Sequence, residues 1–326
     1  MRRISRRAVL AAAVPCLAAP RSVQSVRGSV PANQLGVTLV HEHILVDFIG
    51  ADRVSASRYD RDDVIRAALP KLRELRKRGC QTLVECTPAY LGRNPLLLRE
   101  LAGSTGLTIL TNTGYYGARN HRFLPKHAFT WSAEQIARLW VQEAEQGIED
   151  TGIRPAFLKL GVDAGAVSEV NRKLIAAAVL CWRRTGLRIH VHTGDGIAAE
   201  QILDILQANR APAAAYVWVH AQNEGNRQRH LAAARAGAWV EFDGVSRAGH
   251  DQHLSAVLDL AREGLLQQVL ISQDSGWYHV GEPGGGQFNG YTYLFDEFIP
   301  ALRNAGFTQQ QIHQLLIDNP RRLFST

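Results

Sequence analysis

The chain alternates short apolar runs that suit β-strands with amphipathic patterns that suit helices over most of its length. Eight such runs in 326 residues favour a single-domain (β/α)8 TIM barrel, an α/β fold with a closed parallel sheet. An open doubly wound sheet is the alternative, because periodicity does not show closure. The strands are predicted at residues 38–46, 82–87, 107–113, 155–161, 187–193, 215–220, 238–243 and 268–274.

Helical patterns lie between these strands. Residues 60–79 carry one apolar stripe and end at Gly79, a residue typical of helix C-caps. Ser132 and Ser168 are typical N-cap residues and begin two further helices. Helices are predicted at residues 60–79, 132–147, 168–185, 196–209, 225–236, 251–264, 291–305 and 308–318, and a short β-hairpin at residues 24–35.

The first 20 residues are predicted to be a twin-arginine signal peptide. Arg6 and Arg7 precede an apolar run, residues 8–19, that is too short to span a bilayer. Residues 17–19, Leu-Ala-Ala, offer a cleavage site, and an ordinary secretory signal is the alternative. We therefore expect residues 21–326 to form one barrel domain that is periplasmic or secreted, without membrane attachment after cleavage.

The net charge of +7 does not indicate a nucleic-acid partner. Four of the positive charges are arginines before residue 20, and the rest of the chain has no basic run. Because nucleic-acid surfaces concentrate Lys and Arg, no such partner is expected. The remaining cysteines, Cys80, Cys86 and Cys181, show no CxxC spacing and are interpreted as small buried apolar residues.

Polar side chains that can bind metals occur near the ends of five predicted strands, and TIM barrels place their chemistry at the C-terminal ends of strands. His41 and His43 are two positions apart, so both project from one face of a strand, and such a pair suits a metal ion. Each residue alone has a structural interpretation, such as an ion-paired lysine or a helix N-cap. A barrel core does not need so many polar groups on one rim. The candidates are His41, His43, Lys159, His192, His220 and Asp274.

Several stretches along nearly the whole chain match one known family. The matching residues are 34–43, 91–95 and 113–116, then Lys159, His192, Thr193, His220, Asp274 and residues 318–320. On these residues the chain resembles the phosphotriesterase-related family of the amidohydrolase superfamily, whose members are binuclear metal hydrolases. The resemblance implies the barrel fold and two divalent metal ions, expected to be zinc, with manganese, cobalt or iron as alternatives.

The resemblance also implies a role for each candidate ligand. It assigns His41, His43 and Asp274 to one metal, His192 and His220 to the other, and Lys159 to a bridge between them. An ammonium group cannot bind a cation, so Lys159 is expected to act as a carbamate formed with CO2. Burial among apolar neighbours favours the neutral amine that takes up CO2.

The activity implied by the resemblance is hydrolysis by a hydroxide that bridges the metals, with Asp274 accepting its proton. An ester or lactone is the expected small-molecule substrate. A phosphotriester, an amide, or ligand binding by a catalytically silent exported protein are the alternatives. Tyr116 matches a position that lines the substrate site of lactone-hydrolysing relatives, with packing at the barrel mouth as the alternative. A homodimer is implied by the resemblance alone.

Two positions depart from the family pattern. Phosphotriester- and lactone-cleaving members have an acidic residue three positions after His220, where this chain has Asn223 followed by Glu224. The basic residue that usually follows Asp243 is Gly244. The metal ligands and the reaction class are expected to survive these departures, whereas the family's proton-shuttle and substrate contacts at these positions are not expected to carry over.

The loop after the eighth strand is rich in aromatic residues and glycines. Trp277 and Tyr278 lie near its start, and residues 281–286 include four glycines. We expect these two aromatic residues to contact substrate, with the loop acting either as a lid or as a solvated connection.

Overall fold

The computed structural model describes residues 21–325, and the predicted signal peptide lies outside the described residues. Within this range, eight strands pair in parallel and in chain order around a barrel. The first and last strands close it: the N–H of Asp274 donates to the carbonyl of His41 at 3.1 Å, and the N–H of His41 donates to Oγ of Ser272 at 3.0 Å. The closed sheet confirms the predicted TIM barrel.

The bounds of the elements are as follows. The strands are β1 (Ser22–Ser25), β2 (Gly28–Pro31), β3 (Thr38–Glu42), β4 (Leu45–Val46), β5 (Thr82–Glu85), β6 (Thr108–Leu110), β7 (Asn112–Thr113), β8 (Phe157–Val162), β9 (Ile189–Thr193), β10 (Tyr216–Val219), β11 (Trp239–Phe242), β12 (Val269–Ile271) and β13 (Tyr278–His279). The helices are α1 (Arg61–Lys77), α2 (Pro95–Thr105), α3 (His127–Thr130), α4 (Ala133–Gln146), α5 (Glu169–Thr185), α6 (Gly196–Ala208), α7 (Arg227–Arg235), α8 (His250–Arg262), α9 (Ile299–Asn304), α10 (Gln309–His313) and α11 (Asn319–Phe324). The barrel consists of β3, β5, β6 continued by β7, and then β8 to β12.

Local sequence explains where several helices begin and end. Ser132 and Gln135 form a capping box at the start of α4. Gly186 ends α5 in the left-handed conformation that glycine tolerates. The helix α2, whose bounds the periodicity does not predict, begins with Asn94 as N-cap and Pro95 in its first turn.

The predicted strand at residues 38–46 is two separate strands. The pairing of β3 with β5 shifts between Leu39 and Glu42, and the chain then leaves the barrel. Leu45–Val46 form β4, which pairs with β13 outside the barrel. The predicted hairpin also lies nearer the N-terminus than expected, because β2 already ends at Pro31.

The last helical region extends beyond the predicted end at residue 318. A wide π-helical turn at Gln314–Asp318 precedes α11, which carries Pro320 in its first turn. Because a proline in the first turn lacks only an N–H that would be unpaired there, it does not end the helix. Leu294–Phe298 form a similar turn before Pro300 in α9.

Two apolar regions stabilise the barrel. One lies between the sheet and the surrounding helices. The other includes Val84, Leu110, Phe157, Val217 and Leu270, together with Phe324 of α11. Cys80, Cys86 and Cys181 are buried free thiols, as predicted. None of the helices in residues 21–325 is long and apolar enough to cross a membrane.

Candidate metal centre

The structure brings the six predicted ligands together at the C-terminal mouth of the barrel. Lys159 and His192 lie within β8 and β9, and His41 lies in β3. The other three, His43, His220 and Asp274, follow the ends of their strands. The Lys159 side chain is only 2% exposed, so its amine lies inside the barrel.

Three of the ligands form a compact group. Oδ1 of Asp274 lies 3.2 Å from Nε2 of His43 and 3.7 Å from Nε2 of His41. One donor atom from each of these side chains lies within 4.8 Å of the others. Nζ of Lys159 lies 3.3 Å from Nε2 of His41. This is the group that the resemblance assigns to one metal, with the lysine beside it.

The remaining two histidines lie against this group. The His220 ring is 5.1 Å from the His41 ring, and its Nδ1 is 4.0 Å from Oδ2 of Asp274. The His192 ring packs edge-on against His220 with 4.4 Å between ring centroids. All six side chains therefore occupy one continuous cluster.

Backbone conformation helps to aim two of these ligands. His220 and Asp274 have φ values of 62° and 49°, a left-handed conformation that is uncommon for residues other than glycine. The N–H of His220 donates to Oδ2 of Asp243 at 3.1 Å, and Nε1 of Trp277 donates to the carbonyl of Asp274 at 2.6 Å. Such strain persists where surrounding contacts hold it, and it often marks functional sites.

Gly114 explains part of the matching stretch at residues 113–116. A Cβ at this position would lie 2.3 Å from the carbonyl oxygen of Lys159, and its φ is +123°. Only glycine allows so close an approach in this conformation. Gly114, which directly follows β7, therefore lets this part of the chain pack directly against β8, the strand that carries Lys159.

Two of the predicted ligands have a hydrogen-bond acceptor behind the ring, a carboxylate for His220 and a threonine hydroxyl for His43. Nδ1 of His220 lies 2.7 Å from Oδ1 of Asp243. Nδ1 of His43 lies 2.7 Å from Oγ1 of Thr87, whose hydroxyl donates to Oε1 of Glu85 at 2.5 Å. Because both Nδ1 atoms donate, each Nε2 keeps a free lone pair for a metal. Thr87 and Glu85 carry no sequence signal, since a Thr and a Glu at the end of a buried strand are compatible with many roles.

Burial sets the protonation of most of the cluster. It lowers the pKa of His41 to about 3, with Lys159 as the second cause, and it also lowers the pKa of His43 and His192. For His220, burial opposes protonation, but Asp243 raises its pKa. Burial also opposes ionisation of Asp274, yet His43, 3.2 Å away, and the neighbouring histidines lower its pKa. The cluster thus offers neutral imidazoles at His41, His43 and His192 and an ionised carboxylate at Asp274 at neutral pH.

These donors fit divalent metal ions. Imidazole nitrogens and carboxylate oxygens are ligands of zinc and related metals. Oδ1 of Asp274 is buried without a hydrogen-bond partner among residues 21–325, although two imidazole nitrogens lie near it. Asp243 is better described as an orienting residue than as a ligand, because it lies at hydrogen-bond distance from Nδ1 of His220.

An aromatic wall, which we define as Tyr116, Phe123, Phe48 and Trp277, borders the cluster. Tyr116 packs edge-on against His192 at 4.9 Å, and Trp277 lies 4.0 Å from the His43 ring. Phe48 contacts both Phe123 and Trp277 and is 39% exposed. The wall gives the mouth of the barrel one apolar side.

The structure does not bring Tyr278 to this site. Its ring lies beneath Gly285, where a Cβ would be 2.3 Å away, and the nearest charges are those of Asp60, Asp63 and Arg66 near the start of α1. Trp277 precedes β13 in a left-handed conformation with φ 75° and lies against His43, whereas Tyr278, the first residue of β13, packs against Gly285. The expectation that Tyr278 contacts substrate is therefore not supported by its position.

The structure shows what surrounds the two positions that depart from the family pattern, Asn223 and Gly244. Asn223 is exposed, and the Glu224 carboxylate is engaged with the N–H of Gly196 at 3.0 Å and with Arg229 at 2.9 Å. A Cβ at Gly244 would lie 2.8 Å from Nε2 of Gln222. The side chain of Gln222 therefore lies where a larger residue at 244 would begin.

Other matching residues stabilise the barrel instead of lining the site. The guanidinium of Arg93 is buried and binds Glu143 at 2.9 Å and Glu149 at 3.1 Å. Asn319 is fully buried, and its Nδ2 donates to the carbonyls of Leu266 and Val269. These contacts explain why the match extends beyond the candidate metal ligands.

Comparisons with known proteins point to one family. The model of the phosphotriesterase family matches residues 21–324. A phosphotriesterase homology protein of Escherichia coli (strain K12) is 31% identical over 294 residues, which cover 89% of this chain and 98% of that protein. A phospho-furanose lactonase of Mycoplasmopsis synoviae (strain 53) is 25% identical over 327 residues, which cover 93% of this chain and 91% of that protein.

The fold shows the same likeness. The solved structure of an organophosphorus hydrolase from Deinococcus radiodurans superposes with a TM-score of 0.83 and 30% sequence identity. The superposition covers 93% of this chain and 97% of that chain. The likeness thus spans nearly the whole described chain and is not confined to the ligand residues.

Proposed function

The chain belongs to the phosphotriesterase family, and from this premise we propose that it hydrolyses an ester or lactone with two divalent metal ions. The observation that carries the proposal is the convergence of four histidines, Lys159 and Asp274 at the mouth of the barrel. Their donor atoms are imidazole nitrogens and carboxylate oxygens, which suit zinc, manganese, cobalt or iron. Lys159 as a carbamate would complete the set as an anionic bridge.

When bound, the metals would supply Lewis-acid activation of the scissile carbonyl and of the attacking water. The chain would contribute orientation and proton transfer. Asp274 lies at the rim, its side chain is 25% exposed, and its pKa is lowered, so it is an ionised base with access to solvent. It is placed to accept the proton from the attacking water and to release it outward.

The aromatic wall supports an apolar ester or lactone as substrate. Tyr116, Phe48 and Trp277 present apolar faces beside the cluster. Burial raises the pKa of Tyr116, so its phenol stays neutral and can donate a hydrogen bond to a substrate oxygen. Apolar surface next to the reacting centre would also exclude water from the site.

A phosphotriester is the second candidate substrate. The same wall would accept the apolar substituents of a neutral phosphotriester, and the superposed organophosphorus hydrolase shares 30% identity with this chain. A panel of esters, lactones, amides and phosphotriesters at matched concentrations would rank these bonds by kcat/KM. Binding without turnover of any compound would favour an exported binding protein.

Metal content of the protein purified without chelator tests the proposal first. We expect about two metal ions per chain in the wild type. Lys159→Ala should lose most of this metal even with added bicarbonate, because the bridging anion is removed. Lys77→Ala, at an exposed position of α1, is the matched control and should keep its metal. A wild type that binds at most one metal, unchanged by Lys159→Ala, would contradict the binuclear centre.

We further propose that residues 1–20 direct the protein through the twin-arginine route to the periplasm or beyond. The support is the Arg6-Arg7 pair ahead of a short apolar run. This route carries folded proteins, so the metals could be bound before export. Replacing both arginines by lysine should retain the protein in the cytoplasm, whereas unchanged export would indicate an ordinary secretory signal.

A further inference from the structure

A second carboxylate lies against His41 inside the barrel. Oε1 of Glu241 is 2.7 Å from Nδ1 of His41, closer than Oδ2 of Asp243 at 3.0 Å. Glu241 is fully buried in β11, two positions before Asp243. Residues two apart on a strand share a face, so both carboxylates project into the barrel interior.

Asp243 alone does not account for the orientation of His41. Its two oxygens already accept hydrogen bonds from the N–H and Nδ1 of His220, and Oδ1 also accepts from Nε2 of Gln222 at 2.7 Å. The carboxylate nearest to Nδ1 of His41 is that of Glu241. Glu241 is therefore the principal acceptor for this nitrogen.

Glu241 cannot bind the same metal as His41 through this contact. Its oxygen lies at Nδ1, whereas Nε2 on the other side of the ring faces Lys159 at 3.3 Å and Asp274 at 3.7 Å. The imidazole ring thus separates the carboxylate from the ligand cluster. Hydrogen bonding at Nδ1 leaves the lone pair of Nε2 directed at the cluster.

Folding stability does not explain a glutamate at this position. Oε2 of Glu241 is buried without a hydrogen-bond partner among the described residues. A buried polar atom without a partner is costly, and apolar side chains of similar volume often stabilise a fold more than buried charged groups do. Leu270, its neighbour in register on β12, is apolar. A role in positioning a ligand accounts for both the contact and the unpaired oxygen.

We propose that Glu241 is a positioning residue of the metal centre, which holds His41 with Nε2 directed at the metals and so tightens metal binding. This inference rests on the proposed binuclear function. The contact does not depend on the protonation of Glu241, because a carboxylate and a neutral carboxyl group both present an oxygen that accepts a hydrogen bond.

The test compares Glu241→Met with Glu241→Gln. Methionine is similar in volume but cannot accept this hydrogen bond, whereas the glutamine amide oxygen can. We expect Glu241→Met to lower the affinity for zinc, measured by competition with a chelator, by roughly 10–100-fold. Glu241→Gln should stay within about threefold of the wild type, because its oxygen retains the contact. Leu270→Met, at the paired position in the neighbouring strand, should leave the affinity unchanged.

Thermal unfolding of the metal-free proteins separates positioning from packing. We expect the Tm of metal-free Glu241→Met to equal or exceed that of the wild type, since an unpaired buried carboxyl group is removed. Wild-type zinc affinity in Glu241→Met, or a lower Tm of its metal-free form together with weaker binding, would overturn the inference. A wild type that binds no zinc would instead count against the proposed function.

Discussion

The carboxylate of Asp243 holds His220 at two points: Oδ1 lies 2.7 Å from Nδ1 of the ring, and Oδ2 accepts the backbone N–H at 3.1 Å. His220 is in the left-handed conformation directly after β10, and Asp243 directly follows β11. One side chain therefore stabilises both the strained backbone and the ring orientation of a proposed ligand.

Asp243→Asn should weaken metal binding. The amide cannot accept with both atoms, so one of the two hydrogen bonds to His220 is lost. We expect the zinc affinity to fall roughly 10–100-fold, with a parallel loss of kcat/KM at limiting zinc. Chelator competition measures the affinity. Asp296→Asn, which removes a surface ion pair with Arg78, is the control, and an equal effect there would refute the role of Asp243.

Trp277 and Tyr278 form a matched pair for testing substrate contact. Trp277 lies over His43, whereas the adjacent Tyr278 packs against Gly285, away from the cluster. We expect Trp277→Phe to raise KM roughly tenfold, because part of the apolar wall is lost. Tyr278→Phe should leave KM unchanged. Steady-state kinetics at full metal occupancy measure both, and equal changes in the two variants would contradict the assignment of the wall.

His230 should make the metal-free protein less stable in mild acid. Burial lowers its pKa from the ordinary 6.5 to about 4. Between these pH values the unfolded chain binds a proton at this residue and the folded chain does not. The free energy of unfolding therefore falls as the pH falls from about 6.5 to about 4.

Urea unfolding at pH 7 and pH 5 measures this effect. His230→Gln keeps a side-chain donor for the carbonyl of Ala221 but removes the titrating group. The variant should lose less stability than the wild type between the two pH values. Identical losses would show that His230 does not contribute to the acid sensitivity.

Asn319 should contribute to stability and not to catalysis. Its Nδ2 donates at 2.8 Å to the carbonyl of Leu266, just before β12, and at 2.7 Å to that of Val269, the first residue of β12. Asn319→Ala leaves both carbonyls without this donor in a buried site, and we expect a loss of about 2–4 kcal/mol in the free energy of unfolding. Asn304→Ala, at an exposed position, should change stability little. A fall in kcat of Asn319→Ala at temperatures where it is fully folded would contradict a purely structural role.

Much of the barrel was predictable because strand and helix patterns are local. The predicted strand at 155–161 differs from β8 by only a few residues, and α5 begins after Ser168 as its N-cap predicts. The errors lie where contacts distant in sequence override local pattern. The strand predicted at 38–46 breaks after Glu42 because its pairing partner changes, and the C-terminal helix passes Pro320 because a wide turn accommodates it.

The sequence by itself determined the alternation of strands and helices and the set of candidate ligands, because hydrophobic periodicity and residue type at strand ends are properties of short segments. Only the tertiary structure decided which nitrogen of His41, His43 and His220 is free and which side chain orients each ring. His41 and Glu241 are 200 residues apart, and His43 and Thr87 are 44 apart. Such pairs meet only when the sheet closes, so the orientation of the ligands is set by the barrel as a whole.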